Sequence, residues 1–383
     1  MVSALHQFAP GQPWPLDAIR RRQREIATMN DGRAPSQLVW EVVESLPVSE
    51  DIKRQTGNWK AHIATYRQNL TRLAQASIKT VCYNFMPILD WTRTDLAHRL
   101  PNCATCLRFD LVDFAAFDLF ILDRKGAEGD YPAIIQSQAK KRFDKMSNDQ
   151  RLTLSKNAVA GLPGAAEHRS LDQIRGLLAS YDGIGHERLR QNMIDFLEAV
   201  VPHADALGVR LCCHPDDPPF DLLGLPRVMS TEKDYAQILS TVDSPANGMT
   251  FCTGSLGVRH DCDLPGIVAR LGHKIHFVHL RNVTTDGAIV PCSFQEAEHL
   301  SGNTDMVAVI AALLEEERQR RADGRDDAVI PFRPDHGHNI LDDLGRTSQP
   351  GYPAIGRLKG LAELRGIELA LCHPHYGSTN LQP

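Results

Sequence analysis

Four residues that bind transition metals well close four short apolar runs in the second half of this chain: His214 after 209–213, Cys252 after 249–251, His279 after 275–278 and Asp335 after 329–334. Two imidazoles, a thiolate and a carboxylate make a donor set of mixed softness. Such a set suits Mn²⁺, Fe²⁺ or Zn²⁺ better than Mg²⁺ or Ca²⁺, which favour oxygen ligands. Taken alone, each residue has an ordinary reading, because a strand cysteine is usually a small hydrophobe and a strand histidine a hydrogen-bonded core residue. Four of them at successive run ends are much harder to set aside.

The stretch Arg333-Pro-Asp-His-Gly-His338 places His336 directly after Asp335, an acid or base beside the metal, and Gly337 is expected to let the backbone turn sharply there. Arg281 and Arg333 lie next to ligand positions and are candidates to hold an anionic substrate group. Two further clusters could face the same site. One is Cys82-Tyr-Asn-Phe85, which contains Asn84, with Asp90-Trp-Thr-Arg93; the other is Gly351-Tyr-Pro-Ala-Ile355. His6 and Glu44 end two more strand-like runs, where a site role and hydrogen bonding at the core rim are both open.

For the four run ends to converge, the runs must be strands of a parallel barrel, whose C-terminal mouth is where such folds keep their chemistry. Further strand-like runs at 2–5, 38–44 and 79–85 precede them, with helix-like stretches between, so the fold class is α/β, a TIM (β/α)8-type barrel. Pro15 is placed to open a helix, and Ser170-Leu-Asp-Gln173 and Thr231-Glu-Lys-Asp234 have the form of capping boxes. Leu189, Met193, Leu197 and Val200 form an apolar stripe at helical spacing, the mark of a core face. More than a hundred residues separate the run ending at 85 from the one starting at 209. That is too long for one crossover helix, so a helical insertion over roughly 103–185, with helices at 111–122 and 131–146, is expected on the mouth side of a single catalytic domain spanning 1–383.

Composition narrows the function classes. With 42% hydrophobic and 23% charged residues and a net charge of −5, the chain has an enzyme-like core and no basic excess for nucleic acid. No window is long and apolar enough to span a bilayer, and the N-terminus lacks the pattern of an export signal. Nine scattered cysteines suit reduced thiols in a cytoplasm.

Several segments carry a family resemblance. They are Val43-Glu-Ser-Leu-Pro-Val48, Thr80-Val-Cys-Tyr-Asn-Phe-Met-Pro87 running into Asp90-Trp-Thr-Arg-Thr-Asp95, and Arg108-Phe-Asp-Leu-Val-Asp-Phe114. Later come His214-Pro-Asp-Asp-Pro-Pro219, Asn247-Gly-Met-Thr-Phe-Cys-Thr-Gly-Ser255, His279-Leu-Arg-Asn282, Arg333-Pro-Asp-His-Gly-His338 and Pro350-Gly-Tyr-Pro353. In this order the chain closely resembles the mannonate dehydratase family. The resemblance implies a TIM barrel that removes water from D-mannonate, a small sugar acid, to give 2-keto-3-deoxy-D-gluconate in hexuronate breakdown. It also implies Mn²⁺ or Fe²⁺ as cofactor and a homo-oligomer. Carried over by position, the metal ligands would be His214, Cys252, His279 and Asp335, and the proton-transfer residues His336 and Tyr352.

One departure stands out. Family members carry a further strand and helix before the position matching Ser3-Ala-Leu-His6, so the first strand and helix of the pattern are expected to be missing here, with a start lying upstream. A seven-stranded barrel would have two open edges and low stability. The competing readings are a metal-dependent sugar isomerase or epimerase on the same barrel, and a catalytically impaired sugar-acid binding protein. The cysteine among the ligands argues against the first, and the six intact carried-over residues argue against the second.

Overall fold

Runs rich in valine, isoleucine, leucine, phenylalanine and cysteine need cover on both faces, which a parallel sheet wrapped by helices provides. The computed structural model describes residues 1–29, 35–160 and 170–374. In chain order its strands are β1 (Val2–Ser3), β2 (Val42–Glu44), β3 (Thr80–Tyr83), β4 (Asp95–Arg99), β5 (Thr105–Phe109), β6 (Arg210–Cys213), β7 (Asn247–Cys252), β8 (Ile275–His279), β9 (Val283–Thr285), β10 (Phe294–Glu296) and β11 (Phe332–Arg333). Seven of these pair in the order β1-β2-β3-β6-β7-β8-β11, every ladder parallel, in a curled sheet of TIM-barrel type. Six of the seven fall within runs read as strands from the sequence, and β7 starts two residues before its run. The end strands β1 and β11 share no ladder among the described residues, and a cleft of about 600 Å³ lies between them, bordered by Val2, Val42, Phe332 and Arg333.

Side chains alternate across a strand, so residues two apart share a face. Val42, Cys82, Cys212 and Phe277 form a buried cluster of their own inside the curl, and the Thr250 hydroxyl reaches the Cys82 sulfur at 3.2 Å. One step further along the same strands come Glu44, Asn84, His214, Cys252 and His279, with Arg333 level with His279 in the register of β11. The first set is a packed floor and the second the layer of side chains at the mouth. Val43, Val81, Leu211 and Val278, on the opposite face, join the large core beneath the helices. Helix His186–Ala206 lays Leu189, Met193, Leu197 and Val200 into that core, and both expected capping boxes form.

The stretch read as a helical insertion begins differently. Residues 105–109 are strand β5, because this segment alternates and pairs antiparallel with β4 on one side and with the distant β10 on the other. β9 completes a small four-stranded antiparallel sheet. Helices Leu111–Ala116, Ala133–Lys145, Asn148–Ala158 and Leu171–Ala179 follow, the first running on through a π-helical turn at Phe117–Ile121. None of the described helices is long and apolar enough to cross a membrane.

The floor layer makes a direct prediction. Phe277 is fully buried beneath His279, so Phe277→Ala is expected to cost about 3–5 kcal/mol of stability in denaturant unfolding. A loss below about 1 kcal/mol would mean that the floor collapses to fill the space and is not a rigid support.

Candidate metal and acid–base site

Strand ends β6, β7 and β8 bring His214, Cys252 and His279 together, with one donor atom from each lying within 4.8 Å of the others. His214 is set in one tautomer: its Nδ1–H donates to the Pro215 carbonyl at 2.7 Å, which leaves Nε2 bare. That bare nitrogen lies 3.1 Å from Nδ1 of His279. Cys252 caps the short helical turn that follows it, its sulfur accepting from the Ser255 backbone N–H at 3.4 Å. A thiol and two imidazole nitrogens, buried and convergent, are a donor set that fits a transition metal ion.

Asp335, the fourth residue of the sequence-derived quartet, lies beside this trio rather than within it. Its carboxylate is 3.7 Å from His279 Nδ1 and is held by Arg333 at 2.7 Å and by Arg281 at 3.3 Å. The Arg-Pro-Asp-His turn works differently from expectation. Gly337 does not take a left-handed backbone; Asp335 does, at φ 59°, a conformation aspartate tolerates better than most residues. This breaks the strand alternation and lets Asp335 and His336 both face the mouth. Gly337 is instead a close-approach site, since a β-carbon there would sit 3.0 Å from the backbone of Gly356 and Arg357.

Behind these groups lies a buried charge network that sequence reasoning did not assemble. Arg93 donates to both oxygens of Asp217 at 2.8 and 3.1 Å and to Glu296 at 3.0 Å. Arg281 donates to Asp217 at 2.8 Å and lies 3.2 Å from Glu296. Burial alone would raise these carboxyls, but the two guanidinium groups win: Asp217 is held well below the usual range, and Glu296, which also faces His336, is brought down to about 2. Asp217 and Arg93 lie inside motifs singled out in the sequence, whereas Glu296, on a three-residue strand, carried no signal of its own. Arg281 can lie flat here because residue 254 is glycine, where a β-carbon would fall 2.0 Å from the Arg281 Nε.

Glu296 also accepts from His336 Nδ1 at 3.0 Å, so the opposite ring nitrogen is the one available for proton transfer. The ring of Tyr352 stands edge-on to His336, centroids 5.2 Å apart, and Trp91 flanks the histidine at 6.0 Å. Burial pushes the Tyr352 phenol up to about 12 despite the nearby Arg333 cation. His336, Tyr352, Asn84, Arg281, Arg333, Asp335 and His214 all border one cavity of about 30 Å³, which shares Glu44, Arg333 and Tyr352 with the larger cleft between β1 and β11. The nine residues assigned to the site from the sequence are therefore at one mouth, and all but Cys252 and His279 line this cavity, while His6 borders only the larger cleft. The Arg281 Nη2 is buried and has no hydrogen-bond partner among the described residues.

These carboxyls also set a pH dependence. A carboxyl held below its unfolded value contributes stability that is full above that value and is lost as pH falls toward the folded one. Glu296 and Glu44, both at about 2 when folded, and Asp217 below that, therefore predict that the metal-free protein weakens progressively from about pH 4.5 down to about pH 2. The urea midpoint followed over that range would show it, and a flat profile would contradict the network as described.

Comparison with known proteins identifies the family of the chain. A family model described as D-mannonate dehydratase (UxuA) matches residues 1–376. The chain is 58% identical to mannonate dehydratase 1 of Agrobacterium fabrum (strain C58 / ATCC 33970) over 377 residues, 98% of this chain and 92% of that protein. It is 56% identical to the mannonate dehydratase of Rhizobium meliloti (strain 1021) over the same length and the same shares. Among solved structures, that of mannonate dehydratase from Streptococcus suis serotype2 matches with a TM-score of 0.71 at 30% identity, covering 96% of this chain and 85% of that one. The chain thus belongs to the D-mannonate dehydratase family, hydro-lyases that remove water from D-mannonate.

Proposed function

We propose that the mouth cluster carries out this dehydration with His336 as general base and Tyr352 as general acid, giving 2-keto-3-deoxy-D-gluconate and water. The observation that carries the assignment is the Glu296–His336 hydrogen bond. With Nδ1–H tied to a carboxylate, the other imidazole nitrogen presents a lone pair, and the partner charge favours the imidazolium formed when it takes the proton from C2. Tyr352, with its phenol near 12, is protonated at neutral pH and so serves as donor to the departing C3 hydroxyl. The enol left behind takes a proton at C3 to become the keto acid.

Arg281 and Arg333 supply positive charge for the substrate carboxylate, Arg281 through its unpartnered Nη2, and Asn84 offers an amide to a hydroxyl. The small cavity opens beside the wider cleft, which gives the sugar chain room beyond the reacting carbons. His214, Cys252 and His279, joined by Asp335 once it turns from its arginines, would hold Mn²⁺ or Fe²⁺. When bound, that ion supplies Lewis-acid stabilisation of the negative charge that develops next to the carboxylate. Nine free cysteines fit a reducing compartment, and we read the chain as a cytoplasmic homo-oligomer, as its family resemblance implies. Family membership over nearly the whole chain favours this reading over an isomerase or epimerase, neither of which would yield a 2-keto-3-deoxy acid.

The test is an assay of metal-stripped protein on D-mannonate, with and without Mn²⁺ or Fe²⁺, read as formation of 2-keto-3-deoxy-D-gluconate. Product should depend on added metal. His336→Ala and Tyr352→Phe should each lower kcat by about 10²–10⁴-fold while binding Mn²⁺ as the parent does. A fully active, metal-replete His336→Ala variant would sink the base assignment.

A further inference from the structure

Glu44, whose role the sequence left open, ends β2 beside the metal trio. Its Oε1 lies 3.0 Å from Nε2 of His279, on the far side of the imidazole from the Nδ1 that faces His214. Arg333 flanks the same Nε2, with its Nε at 3.1 Å, and its Nη2 reaches the other Glu44 oxygen at 3.0 Å. An imidazole nitrogen either bears a proton or offers a lone pair, so it cannot serve both neighbours at once. Without metal, His214 Nε2 is bare and takes the proton of His279 Nδ1, and His279 Nε2 then accepts from Arg333. With the lone pairs of His214 Nε2 and His279 Nδ1 given to an ion, the His279 proton would have to sit on Nε2, where Glu44 is the acceptor in reach among the described residues.

We propose that Glu44 is the positioning residue of the metal centre: it stabilises the one tautomer of His279 that can ligate, and Arg333 stabilises the other. A carboxylate behind a ligating histidine fixes ring orientation and raises ligand basicity, and losing such a partner typically weakens metal affinity by about 10–100-fold. Glu44 is not itself a ligand in this arrangement, because its carboxylate is held behind the ring. The inference rests on His214, Cys252 and His279 forming the centre, and the experiment separates the two claims.

Mn²⁺ is titrated calorimetrically into metal-stripped protein and its variants, with circular dichroism to confirm folding. His214→Ala and Cys252→Ser should abolish tight binding; if they do not, the centre itself is misassigned. Granted that they do, Glu44→Ala should weaken Mn²⁺ by about 10–100-fold, and Glu44→Gln, whose amide oxygen still accepts, by less. A Glu44→Ala affinity within threefold of the parent overturns the proposal. Should Glu44→Ala fail to fold, ¹⁵N-histidine spectra of the parent decide the matter, using diamagnetic Zn²⁺. His279 should carry its proton on Nδ1 when metal-free and on Nε2 when loaded, and a loaded His279 without a proton on Nε2 overturns the proposal.

Discussion

The mouth of this barrel depends on the placement of Arg281. Its guanidinium is buried and lies between three carboxylates, those of Asp217, Glu296 and Asp335. Taking so much charge out of water is costly, and breaking one partner from such a set commonly destabilises by about 3–5 kcal/mol. What the arrangement gives in return is definition: Glu296 fixes His336, Asp335 stays beside His279, and the Arg281 Nη2 is left without a hydrogen-bond partner among the described residues. A mouth lined only with apolar groups would pack as well and could orient none of these side chains.

That definition reaches from the protein interior to the chemistry through simple alternation. The floor of Val42, Cys82, Cys212, Thr250 and Phe277 and the layer above it come from the same strands, two residues apart. Because the floor is close-packed, the side chains above it have little freedom to sink or tilt. The geometry of the candidate metal ligands is therefore inherited from strand register, not from loop conformation.

The same logic explains what could be read in advance. All seven barrel strands were visible as short apolar runs, and His214, Cys252 and His279 were visible as their ends, because periodicity and chemical type are properties of local sequence. The capping boxes at Ser170 and Thr231 were legible for the same reason. Less was legible where a partner lies far along the chain. β5 reads locally as part of a helical insertion because its pairing with β10 joins residues nearly two hundred positions apart. Glu296 sits on that remote strand and leaves no local mark, and the sharp turn is expected at Gly337, whereas the left-handed backbone falls on Asp335. Tyr352 rests on family resemblance, since nothing about an isolated tyrosine in a proline- and glycine-rich loop marks it as a candidate.

The small antiparallel sheet draws its strands from two separate excursions of the chain, 95–109 and 283–296, and Asn339 bridges to Thr105 from a third. Its member Glu296 touches the histidine of β11's own loop. The loops over this barrel are therefore not modules that evolution or a designer could exchange one at a time. A graft that altered the first excursion alone would unseat the third strand of the sheet and with it the orientation of His336. New specificities in this scaffold would have to arise by substitution within the shared sheet, or by replacing all three segments together.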